Sequence, residues 1–145
     1  MKLSIHALLI ALLFTAPVFA DDDQAGLRYW NEITKEAITT ESGLQYKILT
    51  LGKGRKPKAK NTVKVHYRGL LLNGVQFDSS YAEDEPISLS LKRVIKGWTE
   101  GIQLMPTGSV FVFLIPPELA YGEKGGGPIP PNATLIFEVE LFGIK

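Results

Sequence analysis

The chain has 145 residues, 16 Lys and Arg against 15 Asp and Glu, and no cysteine. That length suits a single domain able to bury a core. The near-balance of charge, with no basic face recurring at any spacing, argues against a nucleic-acid or anionic-membrane role, and the lack of cysteine removes disulfides and thiol nucleophiles.

At the start, Lys2 precedes the apolar run Leu8 to Phe14, Pro17 breaks that run, and Val18-Phe19-Ala20 ends in a small residue before Asp21-Asp22-Asp23. This is the pattern of a secretory signal over residues 1–20, cut after Ala20. The apolar run is shorter than the roughly 20 residues that span a bilayer. The mature chain is therefore expected in an exported compartment, foremost a bacterial periplasm, without stable membrane insertion and held by its core alone.

Residues 21–42 read as a leader. Leu27, Trp30, Ile33 and Ala37 recur at three and four, so a short amphipathic helix is expected within 24–40. It is either a frayed leader or a docking segment that pairs two copies weakly through Trp30, in which case the protein is a weak dimer rather than a monomer.

The domain proper is expected over residues 43–145. Leu44 to Ile48 alternates as a half-buried strand, and the basic stretch from Gly52 to Lys60 is a wet loop. Val63 to Arg68 alternates strictly, which turns Val63, Val65 and Tyr67 inward and puts His66 on the surface face. With the only other histidine in the signal segment, no imidazole metal site can form. Asn73-Gly74 marks a hairpin, returning through Val75 and Phe77 to Asp78. Ile87, Leu89 and Leu91 then alternate as another strand.

The segment Val94 to Ile102 is where the pattern changes. Trp98, Ile102 and Met105 fall at helical spacing among strands, so one short helix lies beside the sheet and either closes an apolar cavity or plugs a core. Ser109 to Ile115 is almost wholly apolar, as a strand buried on both faces would be. From Glu118 to Pro131 runs a long Gly- and Pro-rich loop bearing Tyr121 and Ile129; such loops are usually functional or disordered, and the proline pairs flanking an aromatic argue against disorder. Thr134 to Phe142 closes the chain as an alternating strand.

The inventory excludes Cys/His and Ser/His nucleophilic pairs. Gly125 to Gly127 lacks the Lys-Ser/Thr and helix of a phosphate cradle. What remains is a set of apolar and aromatic residues bordering loops: Tyr67, Phe77, Val94, Ile95, Trp98, Tyr121, Ile129 and Phe137. Singly each reads as core; together they suit a shallow pocket, because two tyrosine hydroxyls and Asp78 need partners there.

Val65-His66-Tyr67-Arg68-Gly69, Phe77-Asp78-Ser79-Ser80-Tyr81, Val94-Ile95-Lys96-Gly97-Trp98-Thr99-Glu100-Gly101, Ala120-Tyr121-Gly122 and Ile129-Pro130-Pro131-Asn132-Ala133-Thr134-Leu135 stand in the order and spacing of FKBP-type peptidyl-prolyl cis-trans isomerases. Over roughly Gly43 to Ile144 the chain resembles that family, most of all its bacterial exported branch. The resemblance implies an α+β fold, a twisted antiparallel sheet of about five to six strands wrapped around one short helix, with no cofactor and no metal. It implies a prolyl isomerase, or alternatively a proline-binding chaperone module with little catalysis. Expected partners are proline-containing unfolded or partly folded polypeptides and macrolides of the tacrolimus and rapamycin type.

Carried over by position, Trp98 would be the pocket floor and Tyr67, Phe77, Ile87, Val94, Ile95, Tyr121, Ile129 and Phe137 its walls. The backbone N–H of Ile95 and the hydroxyl of Tyr121 would hold ligand carbonyls, with Asp78 at the edge near Tyr67. Two departures stand out. Ile87 replaces the family's usual aromatic and thins one wall, and Glu83 stands where many members carry Arg, so Asp78 must find another partner.

Overall fold

A computed structural model describes residues 24–145; the expected signal segment lies outside the described residues. The elements are α1 (Ala25–Ile33), β1 (Ile38–Thr39), β2 (Gln45–Thr50), β3 (Thr62–Leu71), β4 (Gln76–Ser79), β5 (Ile87–Ser90), α2 (Lys96–Ile102), β6 (Val110–Ile115) and β7 (Leu135–Ile144). Among these residues no helix is long and apolar enough to cross a membrane.

All seven strands join one antiparallel sheet in the order β1-β2-β6-β7-β3-β4, with β5 sharing the outer edge of β3. The count exceeds the five to six expected because β1 adds two residues at one edge, Ile38 opposite Tyr46 and Thr39 opposite Gln45. At the hairpin between β3 and β4, Asn73 Oδ1 accepts from the Val75 N–H at 3.0 Å, as its turn chemistry demands.

Alternation along the long strands creates two unlike faces. Val63, Val65 and Tyr67 of β3, Phe111, Phe113 and Ile115 of β6, and Leu135, Phe137, Val139 and Leu141 of β7 form the main core with Trp98, Ile102 and Met105. Met105 lies past the end of α2 yet is fully buried, so the helical stripe outlasts the helix itself. On the opposite face Trp30 packs with Leu70, Val112 and Ile136, and α1 covers them.

Two expectations change here. Trp30, read as a candidate docking anchor, is 4% exposed and spent on its own sheet. The Gly26 N–H also donates to Leu72 O at 2.8 Å, tying α1 to the β3–β4 turn. His66, read as a surface residue, is 8% exposed. Its ring stacks on Tyr81 at 4.3 Å, and Nδ1 pairs with Ser80 Oγ at 2.8 Å. Strand alternation identifies the face correctly, but the 3-10 turn Tyr81–Glu83 folds back over it, a contact from far along the chain that no local pattern announces. Burial then lowers the affinity of His66 for a proton.

Candidate active site

The position of Trp98 is set first by what lies beneath α2. A Cβ at Gly97 would sit 2.5 Å from Ile115 Cγ2, and one at Gly101 would sit 2.6 Å from Phe113 Cε1. Glycine at these two positions, one turn apart, lets the helix settle directly on β6. Its free side is tied down as well. Thr99 Oγ1 donates to Leu91 O at 2.7 Å, while Glu100 accepts from Thr40 Oγ1 at 2.7 Å and Ser42 Oγ at 2.5 Å.

On this seated helix the indole of Trp98 is 5% exposed and boxed by rings. Tyr67 meets it edge-on at 5.0 Å and 87°, and Phe137 at 5.2 Å and 86°. Phe77 in turn stands at 89° to Phe137, 5.4 Å away. Edge-to-face pairs contribute about 0.5–1.5 kcal/mol each beyond their burial, so the floor is rigid. Gly69 makes room for the outer pair, since a Cβ there would come within 2.6 Å of Phe77 Cζ and 2.7 Å of Phe137 Cε1.

Over the indole opens a cavity of about 380 Å³ lined by Tyr67, Asp78, Leu89, Arg93, Val94, Ile95, Trp98, Tyr121 and Phe137. Its size is that of a small-ligand site, and its polar groups are few. Tyr67 donates to Asp78 Oδ2 at 2.7 Å, and the Ser79 N–H donates to Oδ1 at 2.9 Å. Burial, then the bond to Asp78 and its charge, push the Tyr67 phenol above its ordinary range, so it stays a proton donor at neutral pH. The partner that Asp78 needs in place of an arginine at Glu83 is therefore its own neighbour's hydroxyl.

Ile95 caps α2, and its carbonyl accepts from the Trp98 and Thr99 N–H groups at 3.0 and 3.1 Å. Its own N–H donates to no acceptor among the described residues. Tyr121 follows the 3-10 turn Pro117–Leu119 and is 44% exposed at the mouth. The loop carrying it is closed on itself by paired Gly126 and Ile129 hydrogen bonds of 2.9 Å and by Asn132 N–H to Gly122 O at 2.9 Å.

Three expected wall residues stand elsewhere. Phe77, Ile87 and Ile129 pack in or against the main core and are not among the residues that border the cavity. Leu89, one pleat beyond Ile87 on the same strand face, reaches it instead. Leu89 and Arg93 were not singled out from sequence. The first was visible only as an alternating strand residue, and the second belongs to no periodic pattern.

Fold and site together define a domain that offers an apolar, aromatic-floored pocket rimmed by a few hydrogen-bonding groups. Residues 53–142 match the family model described as FKBP-type peptidyl-prolyl cis-trans isomerase. The chain is 56% identical over 112 residues to the FKBP-type peptidyl-prolyl cis-trans isomerase FkpA of Aeromonas hydrophila, covering 77% of this chain and 42% of that protein. It is 45% identical over 128 residues to FkpA of Escherichia coli K12, covering 87% and 47%. The crystal structure of FkpA from Escherichia coli superposes with a TM-score of 0.76 at 39% identity, covering 99% of this chain and 74% of that one. A peptidyl-prolyl cis-trans isomerase structure from Pseudomonas syringae gives 0.72 at 34% identity, covering 90% and 97%. The chain belongs to the FKBP-type peptidyl-prolyl cis-trans isomerase family, and it spans less than half the length of the two FkpA relatives named above.

Proposed function

We propose that this protein is a peptidyl-prolyl cis-trans isomerase that accelerates the folding of exported chains. The observation that carries the reading is the open cavity whose floor is the Trp98 indole, walled by perpendicular rings and polar only at its rim. An X–Pro bond resists rotation because amide resonance is lost at the twisted geometry, a barrier of roughly 18–20 kcal/mol. Twisting localises the lone pair on nitrogen and takes charge off the carbonyl oxygen. An apolar pocket therefore favours the twisted imide over the better-solvated planar one. Binding the turned form more tightly than either planar form is what acceleration requires, with no base, nucleophile or covalent step.

In this reading the proline ring rests on Trp98, flanked by Tyr67, Val94, Ile95 and Phe137. The Ile95 N–H and the Tyr121 hydroxyl hold the flanking carbonyls. Asp78 fixes the Tyr67 ring by accepting its hydrogen bond. Phe77, Ile87 and Ile129 support the wall from behind, and Ile87, smaller than an aromatic, leaves a looser fit for a tacrolimus-like macrolide. The signal-like residues 1–20 support a periplasmic location. There, uncatalysed isomerisation over about 10–100 s would delay folding.

The test is the isomerisation of Leu-Pro and Phe-Pro tetrapeptides by the protein, with and without tacrolimus. Rates above the blank that fall with the macrolide support the reading. Rates at the blank with tight peptide binding would instead leave a proline-binding module.

A further inference from the structure

Among the described residues, Arg93 is the only cationic side chain lining the cavity, in the turn that runs from β5 into Val94 and Ile95. That turn is pinned, with the Arg93 N–H on Ser90 O at 3.0 Å and the Lys92 N–H on Ser90 Oγ at 3.3 Å. The Arg93 side chain is exposed and pairs with no carboxylate among the described residues. Lys92 and Lys96, on either side in sequence, are exposed too. Asp78, the one carboxylate lining the same cavity among the described residues, already accepts the Tyr67 and Ser79 hydrogens on its two oxygens. One wall of a largely apolar site thus carries, on a pinned backbone, an always-charged fork suited to a carboxylate.

We propose that Arg93 is a specificity residue that selects X–Pro segments with an Asp or Glu flanking the X–Pro pair over segments with a Lys or Arg there. The inference rests on the site reading given under Proposed function and adds the substrate class. The proline ring takes the apolar floor, and the neighbouring side chain meets the guanidinium at the rim. Because planar and twisted imide feel that charge alike, the selection is uniform binding, which moves KM rather than kcat.

The experiment compares peptides that differ only in Glu, Ala or Lys at the positions just before and just after the X–Pro pair. Each is read with the parent protein, Arg93→Ala and Arg93→Glu, at low salt and at about 1 M salt, where the Debye length falls to about 3 Å. An exposed charge pair predicts a Glu-to-Lys preference in kcat/KM of about 3- to 10-fold for the parent at one of the two positions. The preference lies in KM, approaches unity in Arg93→Ala, inverts in Arg93→Glu and collapses in high salt. Each ratio is taken within one protein, so a general loss of activity in a variant cancels. Turnover of all peptides with equal kcat/KM at both positions, or a preference that survives charge reversal, overturns the inference and leaves the isomerase reading intact. Should no peptide turn over, the isomerase reading fails by itself. Dissociation constants from Trp fluorescence then carry the same comparison, and equal affinities for Glu and Lys peptides overturn the inference there as well.

Discussion

The Tyr67 hydroxyl and Asp78 Oδ2 lie 2.7 Å apart and join a central strand to its edge neighbour at the mouth of the cavity. Asp78 itself is exposed, so its removal should spare the fold while freeing the Tyr67 ring that walls the site. Asp78→Ala and Tyr67→Phe should each lower kcat/KM several-fold. Their double variant should fall short of the sum by about 0.5–1.5 kcal/mol, the net worth of one hydrogen bond. Additive effects in that cycle would show the two residues acting separately.

Trp98 carries structure and site at once. Truncation to Ala empties a large volume under the cavity and should cost about 3–5 kcal/mol. The milder Trp98→Phe also removes an indole N–H that is buried without an acceptor among the described residues, a relief that offsets part of its lost packing. Denaturant titration should therefore rank Phe well above Ala, with activity reduced in both. A Trp98→Ala protein that folds and turns over peptide as the parent does would remove Trp98 from the mechanism.

Gly97→Ala sets two effects against each other. Helix propensity favours Ala by about 1 kcal/mol. The added methyl, however, would stand 2.5 Å from a branch carbon of the fully buried Ile115, and such overpacking costs about 1–3 kcal/mol. We expect net destabilisation, with activity lost disproportionately because the whole pocket floor lifts. A stabilised variant in thermal unfolding would mean that α2 is free to move off β6.

On the opposite face Glu138 is 3% exposed, stands opposite Arg68 in register and accepts from the Tyr29 hydroxyl of α1 at 3.0 Å. Burial pushes its carboxyl up to about 7, outweighing the Tyr29 hydrogen bond and the Arg68 charge, which pull it down. The folded protein thus keeps a proton that the unfolded chain, with an ordinary carboxyl near 4.5, releases. Through this group, stability is greatest below about 4.5, falls as pH rises to about 7 and is level above, a loss on the order of 3 kcal/mol. Glu138→Gln keeps an acceptor for Tyr29 and cannot ionise. Urea melts from about pH 5 to 8 should show the difference between variant and parent growing in favour of the variant; parallel profiles would contradict the assignment.

How much could be read beforehand depended on the range of the interaction. The strands β3, β6 and β7 and the helix α2 were legible because period and burial coincide: Val63, Val65 and Tyr67 do face the core, and Trp98 does seat beside it. The pocket lining was legible where a motif marks it, at Tyr67, Asp78, Val94, Ile95, Trp98, Tyr121 and Phe137. Phe77 and Ile87 do not border the cavity because a strand pattern names a face and not a position along it, and Ile129 sits on a loop that no pattern orients. His66 and Trp30 were misread for a common reason. Each is covered by a segment distant in sequence, the Tyr81 turn in one case and the far face of the sheet in the other. The tolerance of α2 for close approach was written in Gly97 and Gly101, but only the position of β6 gives those glycines their meaning.

The central claim is that the cavity over Trp98 speeds rotation about an imide instead of merely holding one isomer. Exchange spectroscopy by NMR on a proline peptide at equilibrium, with a small amount of the protein added, reads that rotation directly. Catalysis at this cavity gives cis–trans exchange much faster than the uncatalysed timescale of about 10–100 s, with the populations of the free peptide unchanged. Peptide signals that broaden or shift on binding while exchange stays at the uncatalysed rate would contradict it.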